Sequence, residues 1–109
     1  MTMDAKLSML ESLLVIKEPT EELETMLTAY LEMAAQEIIQ WRYSYAKNIP
    51  DEVPAEYEVT QVFAVVEGYN QQGAEGQSMH SENNLYLTFK YGDMVDYIHR
   101  MVIPFVKVI

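Results

Sequence analysis

Two histidines, seventeen carboxylates and no cysteine are the metal-ligating side chains this sequence offers. His80 and His99 fall in different predicted elements and form no pair at helical ligand spacing, so neither points to a zinc site. His80 reads as a loop residue. His99, beside Arg100, reads as a cation at a helix C-terminus, where the dipole favours it. Without cysteine there is no thiol nucleophile, zinc ribbon or disulfide framework, which fits synthesis in a reducing cytoplasm. Glu21 and Glu22 are neighbours on a helix and point in different directions, so they make no catalytic dyad. Gly73-Ala74-Glu75-Gly76 has the spacing of a loop that clamps a nucleic-acid backbone, but Glu75 puts the wrong charge inside it. Gln77-Ser78-Met79-His80-Ser81-Glu82 lacks the alternating Asp/Asn ligands of a calcium loop. No nucleophile elbow, Walker loop or dinucleotide fingerprint occurs. The expectation is a protein that is not an enzyme and needs no cofactor or metal.

Charge carries more information than chemistry. Seventeen acids against seven bases give −10 over 109 residues. An unaided nucleic-acid binder needs a cationic surface, so that class is disfavoured. Residues 1–67 hold thirteen acids and four bases, and Glu18 to Glu37 holds six acids and no base. Such a run reads either as a solvated helix face or as a surface that repels phosphate. The start of the chain lacks a basic segment followed by an apolar run, so no signal peptide is expected. No apolar stretch approaches the roughly 20 residues that cross a bilayer. The expectation is therefore a soluble protein with no membrane partner.

The elements that must position these residues are mostly helical. Half of the residues are hydrophobic, and this length predicts one domain, residues 1–109, with one modest core. Thr2 is placed to cap a first helix over 3–16, with Leu7, Leu10, Leu13 and Leu14 on one stripe. Pro19 breaks the chain. Thr20 then caps a long second helix over 21–45, with Glu21, Glu22 and Glu24 in its first turn. Leu23, Met26, Leu27, Tyr30, Leu31, Ala34, Ile38, Trp41 and Tyr45 form its core side. Glu21, Thr25, Thr28, Glu32 and Gln36 lie opposite. Ile39 and Tyr43 also fall on that polar face and are candidates for a subunit contact.

Pro54 suits the first position of a third helix over 54–72. Val59, Val62, Phe63, Val66 and Tyr69 repeat along it at helical spacing, and Val65 widens the stripe, so this helix is expected to be well buried. Residues 73–84 lose all periodicity. A loop of about 12 residues in a small domain is usually functional. Leu85, Leu87 and Phe89 alternate with polar positions, giving a short strand over 85–89. Asp93 is placed to cap a last helix over 94–101. Pro104 ends it, leaving an extended apolar tail, 102–109, with Ile103, Phe105, Val106, Val108 and Ile109. The fold class expected is mainly α: about four helices with a long second helix, a long loop and short strand before the last one, and an extended tail.

The segment Tyr69-Asn70-Gln71-Gln72-Gly73-Ala74-Glu75-Gly76, followed by Ser78 and His80-Ser81-Glu82-Asn83, resembles the head–tail connector proteins of long-tailed phages and prophages. That family pattern is a helix ending Tyr-Asn, then Gly-x-Glu-Gly, then Ser-Glu-Gly and a closing Ile-x-Pro segment. Here Gln71 and Gln72 stand where a base is common, and Asn83-Asn84 stands where Gly is usual. Asn tolerates the left-handed backbone that Gly would supply. The layout down to Ile103-Pro104 resembles the family as well.

The resemblance implies a structural virion protein made in the host bacterial cytoplasm and placed at the head–tail interface. It implies a homo-oligomeric ring of about twelve subunits below the portal. The ring would join the DNA-filled head to the tail through a tail-side stopper or tail-completion protein. Double-stranded DNA would pass through it without specific binding. The residues implied in ring or portal docking are Tyr69, Asn70, Gly73, Glu75, Gly76, Ser81, Glu82, Ile103, Pro104, Phe105 and Val106, with Ile39 and Tyr43 added from the helix pattern. The alternative class is an acidic helical DNA mimic that inhibits a nucleic-acid-binding protein.

Overall fold

The computed structural model describes residues 1–44, 48–70 and 88–104. Among these, four α-helices carry the architecture: α1 (Met3–Leu13), α2 (Glu21–Arg42), α3 (Glu58–Gly68) and α4 (Tyr91–Met101). The fold is mainly helical, as the periodicity predicts. The only strands among the described residues are two-residue pieces, Tyr69–Asn70 (β1) and Thr88–Phe89 (β2). They pair antiparallel, with Tyr69 opposite Phe89 and Asn70 opposite Thr88. The predicted loop 73–84, the start of the predicted strand and residues 105–109 lie outside the described residues.

Helix starts follow local chemistry. Thr2 and Thr20 each accept a hydrogen bond from a backbone N–H three residues on, Ala5 at 3.0 Å and Leu23 at 3.1 Å, which satisfies an orphan donor. Helix ends depart from the periodic pattern. The expected first helix over 3–16 stops at Leu13. Val15 takes a left-handed backbone with φ 59°, while its N–H reaches Ser12 O and the Ile16 N–H reaches Glu11 O. These two bonds form a Schellman cap, here built on a β-branched residue where glycine is usual.

The second helix stops at Arg42 rather than 45. Ser44 Oγ donates to Trp41 O at 2.7 Å and covers a terminal carbonyl. The third helix, expected over 54–72, is cut at both ends. Pro54 lies before a 3-10 turn, Ala55–Tyr57, and α3 proper starts at Glu58. At the other end the chain turns extended after Gly68, whose carbonyl accepts from Lys90 N at 2.6 Å, so pairing with β2 replaces further helix. The last helix begins a turn earlier than predicted. Tyr91 opens it, and Asp93 sits in its first turn instead of at its cap.

The core is one cluster drawn from all four helices. Leu10 and Leu14 meet Leu23, Leu27, Leu31, Ala34 and Ile38 of α2, Val62, Ala64 and Val65 of α3, and Met94, Ile98 and Val102 at the C-terminal end. Helix α3 packs against each of the other three. Two polar side chains are buried with this cluster, and each is partnered. Lys6 Nζ donates to Gln61 Oε1 at 2.7 Å, and Gln61 Nε2 donates to Leu31 O at 2.8 Å. Glu58 lies 3.8 Å from the same ammonium. This relay ties α1, α2 and α3 together, and burial without these partners would be costly.

Ile39 corrects the sequence reading. It is placed on the polar face by periodicity, yet it is 4% exposed and belongs to the core. The reason is the 48–54 connection, which carries the buried Val53. Asp51, Glu52 and Val53 share a groove with Glu32, Ala35 and Gln36, so the connection runs along the face of α2 that Ile39 occupies. Tyr43, on that same face, is half-buried against the core.

Candidate assembly surface

The most built-up feature outside the core is the root of the C-terminal tail. A helix end leaves carbonyls without intrahelical donors. The residue before a proline also avoids helix, so Ile103 must leave α4 extended. The backbone groups thus freed are met by side chains of other elements. Trp41 Nε1 donates to Val102 O at 3.0 Å, Arg42 donates to Ile103 O, and Ile103 N donates to Tyr57 Oη at 3.3 Å. The Arg42 guanidinium lies over the Tyr57 ring, 5.5 Å from its centroid, and 4.0 Å from Glu56. The His99 ring stacks on Trp41 at 3.9 Å between centroids, and His99 Nε2 sits 2.8 Å from Glu37. Residues from α2, the 3-10 turn and α4 thus fix where the tail departs.

The clamp was missed from the sequence, which placed Trp41 on the core stripe and gave Arg42 and Tyr57 no role. One signal was present: a partly buried indole N–H needs an acceptor, and the end of a neighbouring helix supplies one. Beyond the clamp, Ile103 is 67% exposed and Pro104 is half-buried. Phe105 and Val106 lie outside the described residues.

The other predicted contact residues divide. Tyr69 is buried at the end of α3, and the Asn70 backbone pairs with Thr88. The pair therefore anchors the start of the 71–87 segment. Gly73, Glu75, Gly76, Ser81 and Glu82 lie outside the described residues. Ile39 is core and drops out as a surface contact.

A second surface comes from α3. The spacing of Val59, Phe63 and Val66 predicts core positions. Instead Val59 is 46% exposed, Phe63 is 36% exposed and Val66 is half-buried. Meanwhile Gln61, Ala64 and Gly68, on the other side of the helix, are buried. The buried side of α3 is made by Gln61, Val62, Ala64, Val65 and Gly68, while Val59 and Phe63 face out and Val66 packs at the edge of the core.

The acid run between Glu18 and Glu37 does not form one stripe. Glu18, Glu21, Glu22 and Glu32 are exposed. Glu37 is taken by His99, and Glu24 lies against Glu11 between α1 and α2. One Glu11 oxygen is buried without a hydrogen-bond partner. Burial raises the Glu11 pKa above the usual carboxylate value, and the neighbouring Glu24 pushes it further the same way. The N-terminal ammonium, 2.7 Å from Glu58, lowers that carboxyl's pKa, with Lys6 adding to the effect. Among the described residues no group of three His, Cys, Asp or Glu is placed to hold a metal. No described helix is long and apolar enough to cross a membrane.

Outside the core, the described residues thus expose Ile103 at the tail root and Val59 and Phe63 on α3. The family model for phage gp6-like head-tail connector proteins matches residues 5–101, which takes in α2, α3, α4 and all but the first two residues of α1. No curated protein and no solved structure matches the chain.

Proposed function

From the premise that this chain belongs to the phage gp6-like head-tail connector family, we propose that it assembles as a ring of about twelve copies below the portal. It is a structural component of the phage virion, joining head and tail. In the proposed ring the helical body of residues 1–104 forms the wall. The ring extends the portal's DNA channel toward a tail-side stopper. The single observation carrying this reading is the family match across the whole helical body, rather than across one motif.

The charge supports it. At −10 per chain, a ring presents an anionic wall to passing DNA. A basic wall would hold the phosphate backbone through released counterions and stall transit. The same charge makes the subunits repel one another, so apolar contacts must offset it. In this reading the 71–87 segment, anchored by Tyr69 and Asn70, meets the portal through Gly73, Glu75, Gly76, Ser81 and Glu82.

Electron microscopy of the protein mixed with the portal protein of the same virus tests the reading. The expected image is an annulus seated coaxially on the portal. Particles with portal rings alone would overturn it. A companion gel-shift titration at low salt should leave double-stranded DNA unshifted, and a salt-sensitive shift would contradict the anionic channel.

A further inference from the structure

The two most exposed large apolar side chains among the described residues are Val15, at 72%, and Ile103, at 67%. Each has an exposed apolar neighbour, Leu13 and Met101 respectively. Both stand on backbone that is held in place. Val15 forms the left-handed cap of α1, where two backbone hydrogen bonds fix it and glycine is the usual residue. Ile103 donates its N–H to Tyr57 Oη and receives Arg42 on its carbonyl. A side chain presented on ordered backbone loses little freedom when a partner covers it. At Val15 a branched apolar side chain is kept in water on a backbone conformation that disfavours it.

These two points mark opposite ends of α2. Helix α1 runs back along α2, with Glu11 against Glu24 and Met3 sharing a groove with Gln36, so Val15 lies beside the first turn of α2. Trp41 and Arg42, in the last turn, hold Val102 and Ile103. The 22 residues of α2 separate the two ends by about 33 Å. Within one copy the two patches cannot meet.

Charge decides what can cover them. Beside Leu13 and Val15 lie the exposed Glu18, Glu21 and Glu22, and Lys17 is the only base between residues 7 and 41. Beside Met101 and Ile103 the balance differs, since residues 97–104 hold His99 and Arg100 and no acid. Arg100 lies 3.4 Å from Asp96, one turn back on its own helix, with both side chains exposed. An exposed pair of that kind contributes little, so Arg100 can turn to another carboxylate. Nearby, Arg42 and Glu56 offset each other. Two acid-rich ends brought together would set like charges face to face, whereas the acid-rich end and the arginine end match. The fitting cover for either patch is the opposite end of a second copy.

We propose that the Leu13–Val15 patch of one copy packs against the Met101–Ile103 patch of the next, with Arg100 facing the carboxylates of Glu18, Glu21 and Glu22. The cap of α1 and the Trp41–Arg42–Tyr57 clamp present the two patches, and α2 is the strut between them. The patches differ, so the contact is heterologous. A heterologous contact propagates head to tail and closes into a ring when the rotation allows, whereas a contact between like ends would stop at a dimer. The proposal deepens the ring reading above and rests on it.

The absence of native cysteine gives a direct test. Val15→Cys and Ile103→Cys are made in separate chains, checked for unchanged helicity and melting, mixed with each other and with the portal protein, and treated with a short thiol cross-linker. The expected product joins the two different chains. Products joining only two Val15→Cys chains, or only two Ile103→Cys chains, would mean a contact between like ends and would overturn the proposal. Portal-seated rings that give no product would sink it and leave the ring reading standing. No ring from the parent chain would remove both. Val15→Gly separates the contact from the fold. Glycine suits the backbone of the cap, so the melting temperature should not fall, yet the concentration needed for ring assembly should rise about tenfold, as on loss of an apolar anchor. Arg100→Glu should raise it by a similar factor. Parent-like assembly by either variant would overturn the proposal.

Discussion

Helices α3 and α4 are equally long and pack on each other, yet they are finished differently on the outside. On α4, Met94 and Ile98 are buried and Asp93, Asp96 and Arg100 face water, with exposed apolar side chains only at its first and last residues, Tyr91 and Met101. That is the pattern of a surface helix stable within one chain. On α3, Val62, Ala64 and Val65 are buried, but Val59 and Phe63 face water as well. Burial within the single chain thus accounts for α4's pattern between its two ends, and for less of α3's. The remainder of α3's pattern is the part open to a partner in the proposed assembly.

The most forceful way to break this comparison is to truncate one side chain on each helix. Ile98 is fully buried, so Ile98→Ala should cost about 2–5 kcal/mol through lost transfer energy and a residual cavity. Phe63→Ala should cost less, about 1–2 kcal/mol, because Phe63 is 36% exposed and so has less apolar surface to lose. Urea denaturation of dilute protein measures both. Equal losses would mean that α3's outer row is buried within the single chain, and the contrast would dissolve.

A smaller effect is expected at the tail root, which joins the two helices' C-terminal surroundings. Trp41→Phe keeps a ring to stack on His99 and removes the donor to Val102 O. The loss should be about 0.5–1.5 kcal/mol, the net worth of one hydrogen bond. It should appear as faster amide exchange at Val102 and Ile103 with little change in the core. Uniformly faster exchange would show that the clamp supports the whole body rather than positioning the tail.

Val15→Gly acts in the opposite direction. Val15 is 72% exposed and sits at φ 59°, so glycine loses little packing and relieves a conformation costing β-branched residues about 1–2 kcal/mol. Some of that gain is offset by the greater freedom of the unfolded glycine. A net stabilisation of about 0.5–1 kcal/mol in thermal melts is expected. The site belongs to the end of α1, so the variant raises stability without altering the α3 row. It provides a background in which Phe63 substitutions can be compared. A destabilised Val15→Gly would contradict the left-handed cap.

Where sequence and structure agree, a local rule decides the outcome. Thr2 and Thr20 cap as their spacing predicts, because a side-chain oxygen needs only its own turn. Leu23, Leu27, Leu31, Ala34 and Ile38 are buried because one period runs unbroken through α2. Where they differ, a distant segment decides. Gly68 ends α3 because the chain at β2, far along the sequence, takes its carbonyl. Ile39 is core because the 48–54 connection crosses a face that periodicity marks as polar. Trp41, Arg42 and Tyr57 converge on the tail root from positions far apart in sequence, so no motif displays them. Val59 and Phe63 fit a core stripe by period alone, and only the packing shows that Gln61, Ala64 and Gly68 take the inner side. The docking motif from Gly73 to Glu82 is legible as a resemblance, and its geometry lies outside the described residues.

The smallest expected effect sets the conditions under which α3 and α4 are compared. Glu11 sits between α1 and α2 with its pKa raised, chiefly by burial and further by Glu24. A carboxyl whose folded pKa exceeds its unfolded value holds its proton more tightly in the folded state. Such a group favours folding below the ordinary carboxylate value of 4.5 and opposes it progressively as pH rises through its raised folded value. Glu11→Gln imitates the protonated form. It should therefore melt slightly higher than the parent at pH 7, with the advantage shrinking as pH falls through the carboxylate range and gone below it. Paired melts from pH 7 to pH 3 check this. A gain that persists unchanged at pH 3 would mean that the substituted amide packs better for reasons unrelated to charge. The comparison of Ile98→Ala with Phe63→Ala is then made at one fixed pH, so that any difference arises from α3 and α4 themselves.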